Sequence, residues 1–210
     1  MEFIDPRSTP YQPPSFRGQL PHLYKPGGCY FVTFRLADAI LPTAFPKKHS
    51  APVSFDPESI AAPHQPRLTL GSCALKQPQI ATLVQDALRF FDSKRYLLAA
   101  WCIMPNHVHV IFSPLPPYSI SEILQSWKGF TARRANQLLN RSGPFWGTES
   151  FDHLIRSPEY YDQYIAYIEN NPVKAGLCAR PQDWPYCSAG FQPATPDIQT
   201  QAQSPRYNSL

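Results

Sequence analysis

The sequence has no C-x-x-C pair: its five cysteines, Cys29, Cys73, Cys102, Cys178 and Cys187, are odd in number and widely spaced. That spacing indicates neither a cysteine zinc site nor a disulfide framework, and it fits a reducing compartment. No apolar run approaches the roughly 20 residues that a bilayer span needs; the longest, Leu97 to Met104, is far shorter. The start, Met1-Glu-Phe-Ile-Asp-Pro, is acidic and proline-bearing and lacks the basic and apolar regions of a secretory signal. A cytoplasmic protein with no membrane partner is expected. Charge of one sign is not in large excess: 19 Lys+Arg against 15 Asp+Glu give +4, which admits a polyanionic partner without requiring one. With 210 residues the chain has room for one domain with a sizeable core, and two full domains would be cramped. No internal repeat is visible.

What the chain does have in excess is proline, 25 of 210 residues, about twice the usual share of roughly 5%. The prolines punctuate the chain into an N-terminal arm over 1–20, a body over 21–189 with a proline-rich insertion at 41–70, and a disordered tail over 190–210. Within the body, Gly27-Gly28 precedes a β-branched and aromatic run, Cys29 to Leu36, which predicts a strand. Pro78 at a first helical position, followed by Ile80, Leu83, Val84, Ala87, Leu88 and Phe91, predicts an amphipathic helix over 78–93. Tyr96 to Met104 and His107 to Phe112, interrupted by Pro105-Asn106, read as two adjacent antiparallel strands. Ser119-Ile-Ser-Glu122 has the form of a capping box and opens a helix over 120–140. Ser157-Pro158 opens a last, short helix that continues to Asn170-Asn171, where Pro172 and then Gly176 are expected to end it. Strand, helix, strand, strand, helix and helix give an α+β fold, a ferredoxin-like antiparallel sheet packed with helices.

His107 and His109 stand one residue apart on a predicted strand, so both imidazoles project from one face within reach of a single metal ion. The pair alone leaves open that they are ordinary surface histidines. On the last helix Tyr160, Tyr164, Tyr167 and Asn171 recur at intervals of four, three and four and form one polar stripe. A nucleophile and a ligand could share that face, or the rings could simply pack with their hydroxyls in water. Between 120 and 141 the basic Lys128, Arg133, Arg134 and Arg141 face one acid, Glu122, with Trp127 and Phe130 interleaved. This composition suits phosphate contacts with stacking, or equally a solvated outer face with aromatics in the core. Arg35, Arg156 and Lys174 are further candidates for DNA contact.

Several segments together resemble a known family. Met104-Pro-Asn-His-Val-His-Val-Ile-Phe112, Tyr30 to Leu36, Ser126-Trp-Lys-Gly-Phe-Thr131, Phe151-Asp-His-Leu-Ile-Arg156 and Tyr167-Ile-Glu-Asn-Asn-Pro-Val-Lys-Ala-Gly-Leu177 are similar to the REP-associated tyrosine transposases, relatives of the single-tyrosine HUH transposases. The resemblance runs from about residue 20 to 189 and leaves the insertion and the tail outside it. It implies the HUH endonuclease fold, with His107 and His109 as catalytic metal ligands, Tyr167 as the nucleophile and Asn171 as a third ligand. It also implies a divalent cofactor, Mg²⁺ or Mn²⁺, no nucleotide cofactor, and single-stranded hairpin DNA as partner for a monomer or homodimer. DNA contacts are expected at Lys128, Arg133, Arg134, Arg156 and Lys174.

The implied reaction is cleavage and rejoining of hairpin-associated single strands through a 5′-phosphotyrosine. A cation on neutral imidazoles offsets charge on the scissile phosphate, and a phenol, ordinarily ionising near 10, becomes nucleophilic once its proton is removed. Two rivals remain at this point. One is a metal-dependent phosphodiesterase or nuclease that activates water; the other is a hairpin-binding protein retired from catalysis.

Overall fold

The computed structural model describes residues 15–17, 20–22, 25, 27–39 and 71–191. The insertion at 41–70, most of the N-terminal arm and the tail beyond 191 lie outside the described residues. In the arm, β1 (Ser15–Arg17) and β2 (Leu20–His22) pair antiparallel. The main elements follow as β3 (Cys29–Leu36), α1 (Pro78–Phe90), β4 (Tyr96–Ile103), β5 (His107–Pro114), α2 (Ile120–Leu138), β6 (Trp146–Ile155) and α3 (Pro158–Lys174). Four of the strands form one sheet in the order β4-β5-β3-β6, each neighbour antiparallel. The hairpin strand β5 inserts between β3 and β4, the strand order of a ferredoxin-like α+β fold, as expected from the sequence.

Two cores form because the strands alternate sides. Tyr30, Val32, Phe34, Val108, Val110 and Phe112 point to the face covered by α1 and α2. Phe31, Ile111 and Cys102 point to the other, where α3 lays Tyr164, Tyr167 and Ile168 against them. Strand β4 keeps both faces filled through an irregularity between Leu98 and Ala100. The extra residue switches parity, so Tyr96 and Leu98 before it and Trp101 and Ile103 after it all meet the same core.

The helix starts follow local chemistry. Ser119 accepts a hydrogen bond from the Glu122 amide, and the Glu122 carboxylate accepts one from the Ser119 amide, which completes the capping box. Ser157 caps α3 in the same position relative to Pro158.

Two expectations need correction. Pro172 does not end α3; it lies inside a helix of 17 residues that runs to Lys174, so the helix is not short. Near a C-terminus a proline costs only one backbone bond, and here the stop is made by Gly176 at φ 67°. Its amide donates to Val173 and the Leu177 amide donates to Pro172, the paired bonds of a glycine-terminated helix. Strand β6 is the second difference, since its span was not read as a strand. Its sequence, WGTESFDHLI, mixes polar residues into both faces because it is a sheet edge with half-buried side chains.

Candidate active site

The strand pair β3–β5 sets the site. His107 and His109 both face α3, and both are buried, at 2% and 0% exposure. The two rings meet through Nε2 atoms 3.0 Å apart. Each is held from behind by a different polar group: His107 Nδ1 lies 2.9 Å from Asn106 Oδ1, and His109 Nδ1 lies 2.7 Å from Thr33 Oγ1. Thr33 is the cross-strand partner of His109, so the ladder register itself delivers this contact. Asn106, fully buried in the β4–β5 turn, stands in the Pro-Asn-His-Val-His segment of the sequence with no signal of its own for this role.

Burial keeps both rings neutral. It pushes His109 down to about 3 and His107 well below its ordinary value, with the neighbouring His109 adding to the effect on His107. Neutral imidazoles have a lone pair to offer. Asn106 Oδ1 accepts the His107 Nδ1 proton, which leaves the His107 Nε2 lone pair directed at His109. Either a proton on His109 Nε2 or a cation must occupy the direction between them, because two bare lone pairs at 3.0 Å repel. The same spacing suits a metal: two ligand atoms at about 2.1 Å from one ion and at right angles to each other are about 3.0 Å apart.

Helix α3 closes the site from above. The Tyr167 ring lies edge-on to His109 with centroids 5.7 Å apart. Phe31 organises the contact, stacking on His109 at 5.6 Å and on Tyr164 at 4.9 Å while meeting Tyr167 edge-on at 5.9 Å. The tyrosine stripe is therefore the buried face of α3 at Tyr164 and Tyr167, and only Tyr160 at its start is half-buried. Asn171, one turn beyond Tyr167, is 6% exposed, and its Nδ2 has no hydrogen-bond partner. A buried amide with an unmet group is costly, and rotation of the amide exchanges its nitrogen and oxygen. A third oxygen ligand is the chemistry that such a side chain can provide. Among the described residues no cluster of three His, Cys, Asp or Glu could hold a metal, and an amide oxygen is the donor that these residues can add to the histidines. The residues present fit that donor set.

The basic candidates separate in space. Lys174 sits on α3 with its ammonium 5.9 Å from the Tyr167 ring centroid, and exposed Arg156 follows β6 directly. Arg133 and Arg134 are exposed on α2, on the opposite side of the sheet, where they line a groove of about 990 Å³ with Phe90 and Phe130. Lys128 is engaged: its ammonium donates to the carbonyls of Gly147 and Thr148. Trp127 is not available for stacking, being 3% exposed with its indole donating to the Tyr96 hydroxyl, whereas Phe130 is 45% exposed.

The family profile described as Transposase IS200 like matches residues 77–171, from the start of α1 through Asn171. Through this segment the chain is similar to the IS200-like transposases. A REP-associated tyrosine transposase of Escherichia coli is 26% identical over 87 residues, 41% of this chain and 50% of that protein. A Haemophilus influenzae protein provisionally given the same name is 32% identical over 101 residues, 42% of this chain and 56% of that one. The chain thus spans about half the length of these curated relatives in each match. A solved REP-associated tyrosine transposase, bound to a REP hairpin, superposes with a TM-score of 0.54 at 19% identity, covering 92% of this chain and 100% of that one. That likeness establishes the α+β fold, and with the sequence matches it bears out the resemblance drawn from the motifs.

Proposed function

We propose that this protein is a transposase that cleaves and rejoins single-stranded, hairpin-associated DNA of REP type through a 5′-phosphotyrosine on Tyr167. The observation that carries the reading is the Tyr167 ring packed on His109 of a buried, neutral histidine pair, with the unsatisfied amide of Asn171 one helical turn away. His107, His109 and Asn171 would hold a divalent cation, Mg²⁺ or Mn²⁺. When bound, that ion offsets negative charge on the scissile phosphate.

The protein's own groups account for the rest. The Tyr167 oxygen forms a bond to phosphorus as the bond from phosphorus to the 3′ oxygen breaks; the phenolic proton leaves to solvent and the released 3′ oxygen takes one up. Lys174, on the same helix as Tyr167, offsets charge that develops on the phenolic oxygen. Asn106 and Thr33 fix the two imidazoles so that neither must reorient during the reaction. Lys174 and Arg156 contact the strand near the cut, and Arg133 and Arg134 serve DNA that passes the α2 side, while Lys128, expected to contact DNA, is instead committed to the Gly147 and Thr148 carbonyls. The unit responsible is residues 21–189, soluble in the cytoplasm and active as a monomer or dimer. Among the described residues no helix is long and apolar enough to cross a membrane, which is compatible with this placement.

The test incubates the full chain with end-labelled hairpin DNA from the flanks of its own gene and Mg²⁺ or Mn²⁺. A denaturant-resistant protein–DNA adduct, lost in Tyr167→Phe while hairpin binding persists, is the expected result. Cleavage without an adduct would replace the reading by a water-activating nuclease, and tight binding without cleavage by a retired transposase.

A further inference from the structure

The β3–β6 pairing breaks at one place. Phe34 pairs with Ser150 and Leu36 with Trp146, so Arg35 alone opposes the three residues Gly147, Thr148 and Glu149. Bulges of this kind bend an edge and re-aim a side chain, and they recur beside active sites. On the other side of β3 the ladder runs unbroken to the pair Arg35↔His107, so Arg35 keeps the alternation of Phe31 and Thr33 and stays on the histidine face. Cross-strand partners of this kind have Cβ atoms about 5 Å apart.

The bulge is built to hold this arrangement. The carbonyls of Gly147 and Thr148, which the irregular pairing takes out of the ladder, accept from the Lys128 ammonium at 2.7 and 3.1 Å. Gly147 lies along the Arg35 stem: a Cβ there would stand 3.5 Å from Arg35 Cγ and 3.8 Å from Nε. Arg35 is half-buried, and the carboxylate of Glu149 in the bulge attracts it, as it attracts Lys128. A guanidinium carried on the histidine face of the sheet, one strand from His107, has five donors to offer, and its planar fork matches a phosphate.

We propose that Arg35 is a phosphate-binding residue of the active site, held by the β6 bulge to take the non-bridging oxygens of the DNA phosphate beside His107. The assignment rests on the reading of this site as one that acts on single-stranded DNA. Glu149 lies in the bulge opposite Arg35. Its negative charge opposes an incoming phosphate, so the carboxylate weakens DNA binding.

The experiment measures two quantities on the full chain and on Arg35→Gln, Arg35→Lys and Glu149→Gln: single-turnover cleavage of the hairpin substrate with Mn²⁺, and the salt dependence of hairpin binding in EDTA. One phosphate contact on a single strand contributes about 0.7 to the slope of log K against log[salt]. Arg35→Gln is expected to lose about that much slope and to slow cleavage about 100-fold. Arg35→Lys keeps the slope and falls between in rate, because a lysine keeps the charge and loses the fork. Glu149→Gln is expected to bind about threefold more tightly. If the wild type cleaves while Arg35→Gln, folded by its melting curve, matches it within twofold in rate and in slope, the proposal is overturned. If Arg35→Gln does not fold, Glu149→Gln decides, and unchanged or weaker binding there overturns it. If the wild type does not cleave at all, the proposed reaction fails, and the salt slope alone then decides whether Arg35 meets phosphate.

Discussion

Thr33→Val tests the support of the histidine pair at a single atom. Thr33 is 5% exposed, and its hydroxyl lies 2.7 Å from His109 Nδ1, buried on all sides. Valine keeps the shape and the strand preference and removes only the hydroxyl. His109 Nδ1 is then buried without a partner, which costs about 1–3 kcal/mol of stability. The same bond orients His109 Nε2, and removing such a support typically weakens metal binding by about 10- to 100-fold. A urea titration of the metal-free protein is expected to show the loss in stability. A metal titration of cleavage is expected to move to higher Mn²⁺, with the maximal rate recovered at saturation, since the reacting groups are intact. Thr33→Ser restores both. A Thr33→Val protein with wild-type stability and an unmoved metal midpoint would refute the account of how His109 is held.

Three further outcomes are expected. Trp127→Phe removes the indole bond to Tyr96 and is expected to cost about 1–3 kcal/mol in urea unfolding while hairpin affinity stays within twofold; a large loss of affinity would return Trp127 to a stacking role. Lys128→Met strips the donor from the Gly147 and Thr148 carbonyls and is expected to cost about 1–2 kcal/mol in the same assay, an effect that an ordinary surface lysine would not give. His153 is held down to about 4, mainly by burial and next by Arg156, whereas an unfolded histidine takes its proton near 6.5. Its share of stability is complete above pH 6.5 and is lost as pH falls toward 4, at up to about 1.4 kcal/mol per pH unit. His153→Gln therefore flattens the acid limb of a stability-against-pH curve by about one proton, and an unchanged slope would contradict that burial.

The sequence determined the elements whose cause is local. The capping box at Ser119 and Glu122, Pro78 at a helix start and the i, i+2 spacing of His107 and His109 each act within a few residues, and each stands in the structure as the pattern implied. The tyrosine stripe was legible too, but not which of its rings meets the histidines. Tertiary structure decided what depends on neighbours far along the chain. Thr33 reaches His109 across the ladder, Phe31 sets the ring geometry beneath α3, and Arg35 is singled out by an irregularity on the strand beside it. Strand β6 escaped the alternation test because an edge strand meets core on only part of its surface, so its residues are under no uniform demand to be apolar. Pro172 was misread for a related reason: a proline's local penalty ends a helix only where nothing else secures the chain, and here Ile168, Asn171 and Pro172 itself are buried against the sheet, with Gly176 making the turn beyond them. Local rules choose the elements; burial and register choose which side chains meet.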